Sequence, residues 1–319
     1  MSDRVASRDV LGQTLIDLAE NDPNIVVLDA DFCPASKITN FRDRFPERFL
    51  QIGIAEQNMM SIAGGLATVG FTCFASTICV FCSRRACDQV AASIALPHLN
   101  VKIIGLYAGL FVGKNGATHQ SLEDIAIMRA LAGMVVCQPA DAIETKEILK
   151  FAAEYVGPMY IRIGRDPVPQ FLPSDYKFKL GKWFTLRQGK DVTIFTYGDT
   201  MEYTMQAADL LAEKGIDACV VNASSLKPVD TDAIVKATKE TGKIVTVDNH
   251  NIYGGLGSAV AEVVTENIPV PVKRIGVKDV FGKSGTNIEM AKHFGLDPQS
   301  IAKDVETFLS ASSCGTPVQ

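Results

Sequence analysis

The chain has 319 residues, 47% of them apolar, and a net charge of −5. That length suits two domains with ordinary buried cores. With no strongly basic stretch a nucleic-acid footprint is not supported. The polar start Met1-Ser2-Asp3-Arg4 does not read as a signal peptide.

Residues 6–20 place Val10, Leu11, Leu15, Ile16 and Leu18 on one face of a helix, which Asn21-Asp22-Pro23 ends. Ile25-Val26-Val27-Leu28 is a continuous apolar run, the pattern of a strand buried on both faces. Asp29 and Asp31 follow at its C-terminal end, where α/β sheets place ligand crevices. Residues 57–83 carry no charge and are long enough to span a bilayer. Their glycine, serine and threonine content and their lack of aromatic or basic flanks argue against that. A buried helix, a break at Gly70-Phe71, a strand and a second helix fit better.

Residues 101–106 read as the next inner strand and feed a glycine-rich loop over 108–116. Helix 122–131, strand 134–136, helix 142–156 and strand 159–162 follow. This alternation predicts a parallel sheet with helices on both faces. Pro167, Pro169 and Pro173 stiffen an extended stretch over 166–190. The expected division is a first domain over 1–175, a linker over 176–190 and a second domain over 191–319. The second unit alternates strand 192–195, helix 201–213, strand 218–221, helix 231–241, strand 243–247 and helix 257–265. Residues from Ser310 onward read as a loose tail. The expected class is α/β: two domains, each with a mostly parallel sheet flanked by helices.

Eight cysteines (Cys33, Cys73, Cys79, Cys82, Cys87, Cys137, Cys219 and Cys314) come without a secretory context. Reduced thiols in a cytosolic protein are expected. Cys79-x-x-Cys82 lacks the second pair that a metal site needs, so packing thiols are expected there.

The residue that points most directly to chemistry is Glu56, in Gly53-Ile54-Ala55-Glu56-Gln57-Asn58-Met59. It heads an uncharged helix-like run, so its carboxyl group is poorly solvated, requires a partner, and is expected to titrate high. Such acids suit proton transfer. A glutamate opening a helix is also favoured by the helix dipole alone. The wider wording separates these readings. Asp29-Ala30-Asp31, residues 53–59, Phe74-Ala75-Ser76-Thr77, the glycine loop through Thr118-His119-Gln120, and Gln138-Pro139-Ala140-Asp141 occur in that order. Lys227-Pro228-Val229-Asp230, Asp248-Asn249-His250 and Gly254-Gly255-Leu256-Gly257 continue it. Over about residues 5–308 the chain resembles the C-terminal half of a transketolase, a pyrimidine-binding domain followed by a C-terminal domain.

The resemblance implies thiamine diphosphate as cofactor. Glu56 would hydrogen-bond its aminopyrimidine at N1′ and so activate thiazolium C2 to attack a ketose carbonyl. Phe81 matches the ring packed on the aminopyrimidine, and Asp31 and Ile78 are placed beside the cofactor. Ile78 stands where the family often has another aromatic. His119 matches the histidine facing cofactor and substrate, and Arg165 the arginine gripping the sugar's distal phosphate, with Arg162 a close competitor. Ser36, Tyr107, Lys114 and Asn115 are placed with the substrate. Typical transketolases have a histidine near position 107 and an acidic pair at 114–115, so altered sugar stereochemistry or a different anionic tail is expected.

The diphosphate and Mg²⁺ are held in this family by an N-terminal domain. Gly198-Asp199-Thr200, the nearest approximation to its motif, reads as a turn in the wrong domain. The resemblance is therefore to the second subunit of a split transketolase, in a cytoplasmic α2β2 heterotetramer with a diphosphate-binding N-terminal subunit. It would transfer a two-carbon ketol unit from a ketose to an aldose. The alternatives are a 1-deoxyxylulose-5-phosphate synthase-like or 2-oxo-acid dehydrogenase β-like subunit, and a non-catalytic assembly or regulatory paralogue.

Overall fold

The computed structural model describes residues 3–313. The first part of the chain supplies β1 (Arg4–Val5), β2 (Ile25–Asp29), β3 (Phe49–Gln51), β4 (Thr72–Ile78), β5 (Val101–Leu106), β6 (Val135–Cys137), β7 (Met159–Ile163) and β8 (Val168–Pro169). The second supplies β9 (Phe184–Arg187), β10 (Val192–Thr196), β11 (Ala218–Asn222), β12 (Ser225–Lys227), β13 (Ile244–Asn251) and β14 (Val272–Val277).

Every residue of β2, β4, β5 and β7 is buried, as expected of strands covered on both faces. Ile25 and Val27 pack with Leu11, Leu15 and Ile16 of the helix Leu11–Asn21 on one side. Val26 and Leu28 pack with Met59, Met60 and Ala63 of the helix Glu56–Thr68 on the other. The two-residue side-chain period of a strand thus sorts one apolar run into two cores.

The first sheet has the order β12-β6-β7-β5-β4-β2-β3. It is parallel except at β12, which crosses from the second half of the chain and pairs antiparallel with β6. The second sheet, β14-β13-β10-β11-β9, is parallel except at β9. The mostly parallel, helix-flanked α/β architecture is as expected. The proline-stiffened stretch holds β8, paired with β1, and β9, an edge strand of the second sheet.

The uncharged run 57–83 forms most of the helix Glu56–Thr68, then β4, then enters the π-helical turn Phe81–Arg85. No helix among the described residues is long and apolar enough to cross a membrane. Two expectations need correction. Residues 310–313 are not tail but the last turn of the helix Pro298–Ser313; Cys314 and the residues after it lie outside the described part. Asp248-Asn249-His250 is not a segment following a strand but part of β13.

Candidate active site

The carboxyl ends of five adjacent parallel strands define one edge of the first sheet. Asp29 pairs with Gln51 and Ser76, Ile78 with Leu106, and Leu106 with Ile163, so β2, β3, β4, β5 and β7 end side by side. Asp31, Glu56, Phe81, Tyr107 and Arg165 each lie a few residues past one of these ends. That is the edge where α/β folds form crevices.

Glu56 opens its helix and is 2% exposed. The partner that such a carboxylate requires is Arg85, whose Nη1 donates to Glu56 Oε2 at 2.9 Å. The Arg85 guanidinium also lies 4.2 Å from the centre of the Phe81 ring. Phe81 in turn meets the His119 ring edge-on, centroids 5.3 Å apart. Thr118 Oγ1 is 3.0 Å from His119 Nδ1. Val80, Phe81, Arg84, Arg85, Thr118 and His119 line an open cleft of about 500 Å³.

Asp31 is tied to the Glu56 loop by Gln51. Gln51 Oε1 accepts from the amides of Asp31 (2.8 Å) and Gly53 (3.0 Å), while Nε2 donates to Asp29 Oδ2 at 2.8 Å. Asp31 and Gly53 both have left-handed backbones, φ +58° and +79°, which cost a non-glycine residue energy unless the surroundings fix them. Burial pushes the Asp29 carboxyl group up, against hydrogen bonds from Gln51 and the Phe32 and Cys33 amides.

A second, cationic cluster surrounds Tyr107, itself left-handed at φ +61°. The guanidinium of Arg165 lies 5.0 Å and that of Arg8 5.6 Å from its ring centre, and Phe32 meets the ring edge at 5.0 Å. Arg8 Nη1 donates to Tyr107 Oη at 3.2 Å and to the Ala35 carbonyl at 3.1 Å, beside Ser36. Ser36 is fully buried, and its hydroxyl donates to the Phe32 and Cys33 carbonyls. Arg165 Nη1 donates to the Val112 carbonyl at 2.5 Å. Two guanidiniums thus share one aromatic ring, each held by a cation–π contact.

The loop 113–120 bridges the clusters. Gly113 sits so close beneath Arg165 that a Cβ there would come within 2.5 Å of Nη1, and its φ is +67°. Six residues on, His119 faces Phe81. Lys114 and Asn115 are exposed on the span between, and Ile78 is buried at the end of β4.

Arg162 is not an alternative to Arg165. It is fully buried and spends its donors on Asp124, Gln138, Asn249 and the Ser121 carbonyl. Nor does either arginine bond closely to Asp166, whose Oδ1 is 4.0 Å from Arg165 Nε. Asp199 leads into the helix Thr200–Glu213 after Gly198 at φ +54°, as a turn would. Among the described residues the seven cysteines are free thiols. Burial raises the Cys79 and Cys82 thiols well above their usual range. Since the thiolate is the reactive form, iodoacetamide on the folded protein should label the half-buried Cys87 and spare Cys79 and Cys82. Peptide mass mapping checks this; labelling of Cys79 or Cys82 at the Cys87 rate would count against it.

Sequence reasoning missed Arg8, Gln51 and Arg85. Arg8 belongs to a 3₁₀ turn ahead of the first helix. Arg85 bonds to Glu56 from a π-helical turn, a geometry that no 3.6-residue period reveals.

Two family descriptions match the chain: the transketolase pyrimidine-binding domain over residues 3–170 and the transketolase C-terminal domain over 181–301. The chain therefore belongs to the transketolase family and corresponds to the C-terminal subunit of a split transketolase. A putative transketolase C-terminal section of Methanocaldococcus jannaschii is 44% identical over 297 residues, 92% of this chain and 93% of that one. A 6-deoxy-6-sulfo-D-fructose transketolase subunit of a Clostridium species is 40% identical, covering 93% and 92%. An apulose-4-phosphate transketolase subunit of Phocaeicola vulgatus is 40% identical, covering 96% and 98%. Among solved structures, a split-gene transketolase described as an inactive beta4 tetramer matches with TM-score 0.90 and 45% identity, covering 96% and 99%.

Proposed function

We propose that this chain supplies the pyrimidine side and the sugar-tail side of a transketolase site, active only with an N-terminal partner subunit. The partner would hold the diphosphate and Mg²⁺, in a cytoplasmic α2β2 assembly. The observation that carries this reading is the gathering of Glu56, Phe81, His119 and Arg165 along one sheet edge. The inactive state of the structural relative built from one kind of chain supports the need for a partner. So does Ile54, which is 74% exposed two residues before Glu56.

The residues suit a planar, hydrogen-bonding heteroaromatic ring. Arg85, itself flat and rich in N–H donors, already lies over Phe81 while bonding to Glu56. An aminopyrimidine would find the same ring face and the same desolvated acceptor. Thiamine diphosphate, when bound, supplies the nucleophilic carbon and the electron sink for C–C cleavage. Glu56 would take the hydrogen bond at N1′, with Phe81, Ile78 and Asp31 around the ring. His119, anchored at Nδ1 by Thr118, would hold or move a proton at a substrate hydroxyl. Arg165 and Arg8, with Tyr107 and Ser36, would receive the anionic tail, and Lys114 and Asn115 would border the sugar's middle. The named relatives act on a sulfonated and a phosphorylated sugar; two guanidiniums accommodate either tail.

The test is co-expression with the N-terminal subunit, then ketol-transfer assays over phosphorylated and sulfonated ketoses. Transfer that requires both chains, thiamine diphosphate and Mg²⁺ is the expected result. Decarboxylation of a 2-oxo acid without ketol transfer would move the chain to a synthase or dehydrogenase role. A complex inert to both substrate classes would make it an assembly subunit.

A further inference from the structure

Among the second-domain side chains that meet the first domain here, Asn287 reaches the segments on both sides of Arg165. Asn287 opens the helix Asn287–Phe294 behind a capping box, in which Thr286 Oγ1 accepts from the Glu289 amide and the Glu289 carboxylate accepts from the Thr286 amide at 2.8 Å. Such a cap fixes where a helix begins, and so where Asn287 stands. The Asn287 amide then divides between two segments of the first domain. Oδ1 accepts from the Gly113 amide at 3.0 Å. Nδ2 donates to Asp166 Oδ2 at 2.6 Å and to the Phe111 carbonyl at 3.4 Å. Arg165 lies between these anchors, resting on the Val112 carbonyl and carried by the chain beside Asp166.

We propose that Asn287 is a positioning residue for the anionic end of the ketose substrate. It sets the Arg165 guanidinium through Asp166 and the loop 111–113, without touching the sugar. This rests on the reading of Arg165 given above. Two physical effects drive it. A guanidinium whose supports are rigid loses less freedom when it grips an oxyanion. Asp166, occupied by Asn287, is also kept from closing the 4.0 Å gap to Arg165 and competing with the substrate tail.

The test uses the assembled enzyme with its partner subunit, comparing wild type, Asn287→Ala, Asn287→Asp and the double variant Asn287→Asp/Asp166→Asn. Asn287→Ala should raise KM for a ketose phosphate about tenfold, the scale of one misplaced charge-assisted contact. The kcat at saturation and the affinity for thiamine diphosphate should stay within about twofold, the pattern of lost uniform binding. An unphosphorylated ketose should keep its kcat/KM. Asn287→Asp should be worse than Ala, because two carboxylates then face each other. The double variant restores one donor and one acceptor and should recover most of the affinity. An equal loss for both ketoses, or an unchanged KM, would overturn the inference. Should Asn287→Ala fail to assemble, a double variant that assembles with KM still raised would overturn it too. A wild-type complex that transfers no ketol unit would instead overturn the reading of the site, and this inference with it.

Discussion

Replacing Glu56 by Ala is expected to lower ketol-transfer turnover of the assembled enzyme by about 10²–10⁴-fold, the span ascribed to one positioned proton-transfer group. Assembly and thermal stability should change little. Glu56 is 2% exposed, so its truncation removes a costly buried charge along with the pair. Its partner is left in a place where water can serve it, because the Arg85 side chain is 45% exposed. The two effects oppose each other, so the net change in stability should be small. Glu56→Gln keeps the volume and a hydrogen-bonding end but gives up the carboxylate; its turnover should fall nearly as far. Steady-state kinetics beside calorimetric binding of thiamine diphosphate separates a lost proton function from a lost site. A chain whose only role is to assemble its partner would keep full turnover with Ala at this position, and that result would remove the catalytic reading.

What the sequence made legible here follows from the range of the interactions involved. The inner strands were readable because a run such as Ile25-Val26-Val27-Leu28, apolar throughout, has few other uses. Glu56, Phe81 and His119 were singled out together by a family's wording, and the structure links them in one run of contacts through Arg85. Three kinds of feature were not. β12 pairs with β6 across some ninety residues of chain, and no local pattern encodes a strand that leaves its own domain. β9 sits in a stretch read as linker because prolines dominate its approach, yet an edge strand tolerates such surroundings. Gln51, Arg85 and Asn287 act through side-chain amides and a guanidinium whose partners lie on other elements. Their residue types are ordinary surface types, and only the fold shows what they hold.

The largest stability effect should come from Arg162, the residue that competed with Arg165 in the sequence and turned out to be interior. Its Nε donates to Asp124 Oδ2 at 2.8 Å, Nη1 to Gln138 Oε1 at 2.7 Å and Asn249 Oδ1 at 2.6 Å, and Nη2 to the Ser121 carbonyl at 3.0 Å. Tyr160 adds a hydroxyl to the same Asp124 oxygen at 2.6 Å. Burial alone would push the Asp124 carboxyl up; Arg162 foremost, then His250 and the hydrogen bonds, hold it below the usual carboxylate value. That sign means the group's contribution is present above its unfolded pKa of about 4 and is lost as pH falls through the depressed folded value. At neutral pH, Arg162→Met should strand Asp124 as a buried charge and cost about 3–5 kcal/mol. Replacing both, Arg162→Met with Asp124→Leu, should recover much of it, because a buried pair adds little over apolar packing. Asn249 makes the consequence functional. It comes from β13 in the second domain, bonds to Arg162, and donates to the Ala108 carbonyl at 3.3 Å. Ala108 follows Tyr107 and starts the loop that ends at His119. Urea unfolding should therefore show an earlier transition in Arg162→Met, and its catalytic defect should exceed what the unfolded fraction explains. An unchanged midpoint would mean that this network does not hold the domains together.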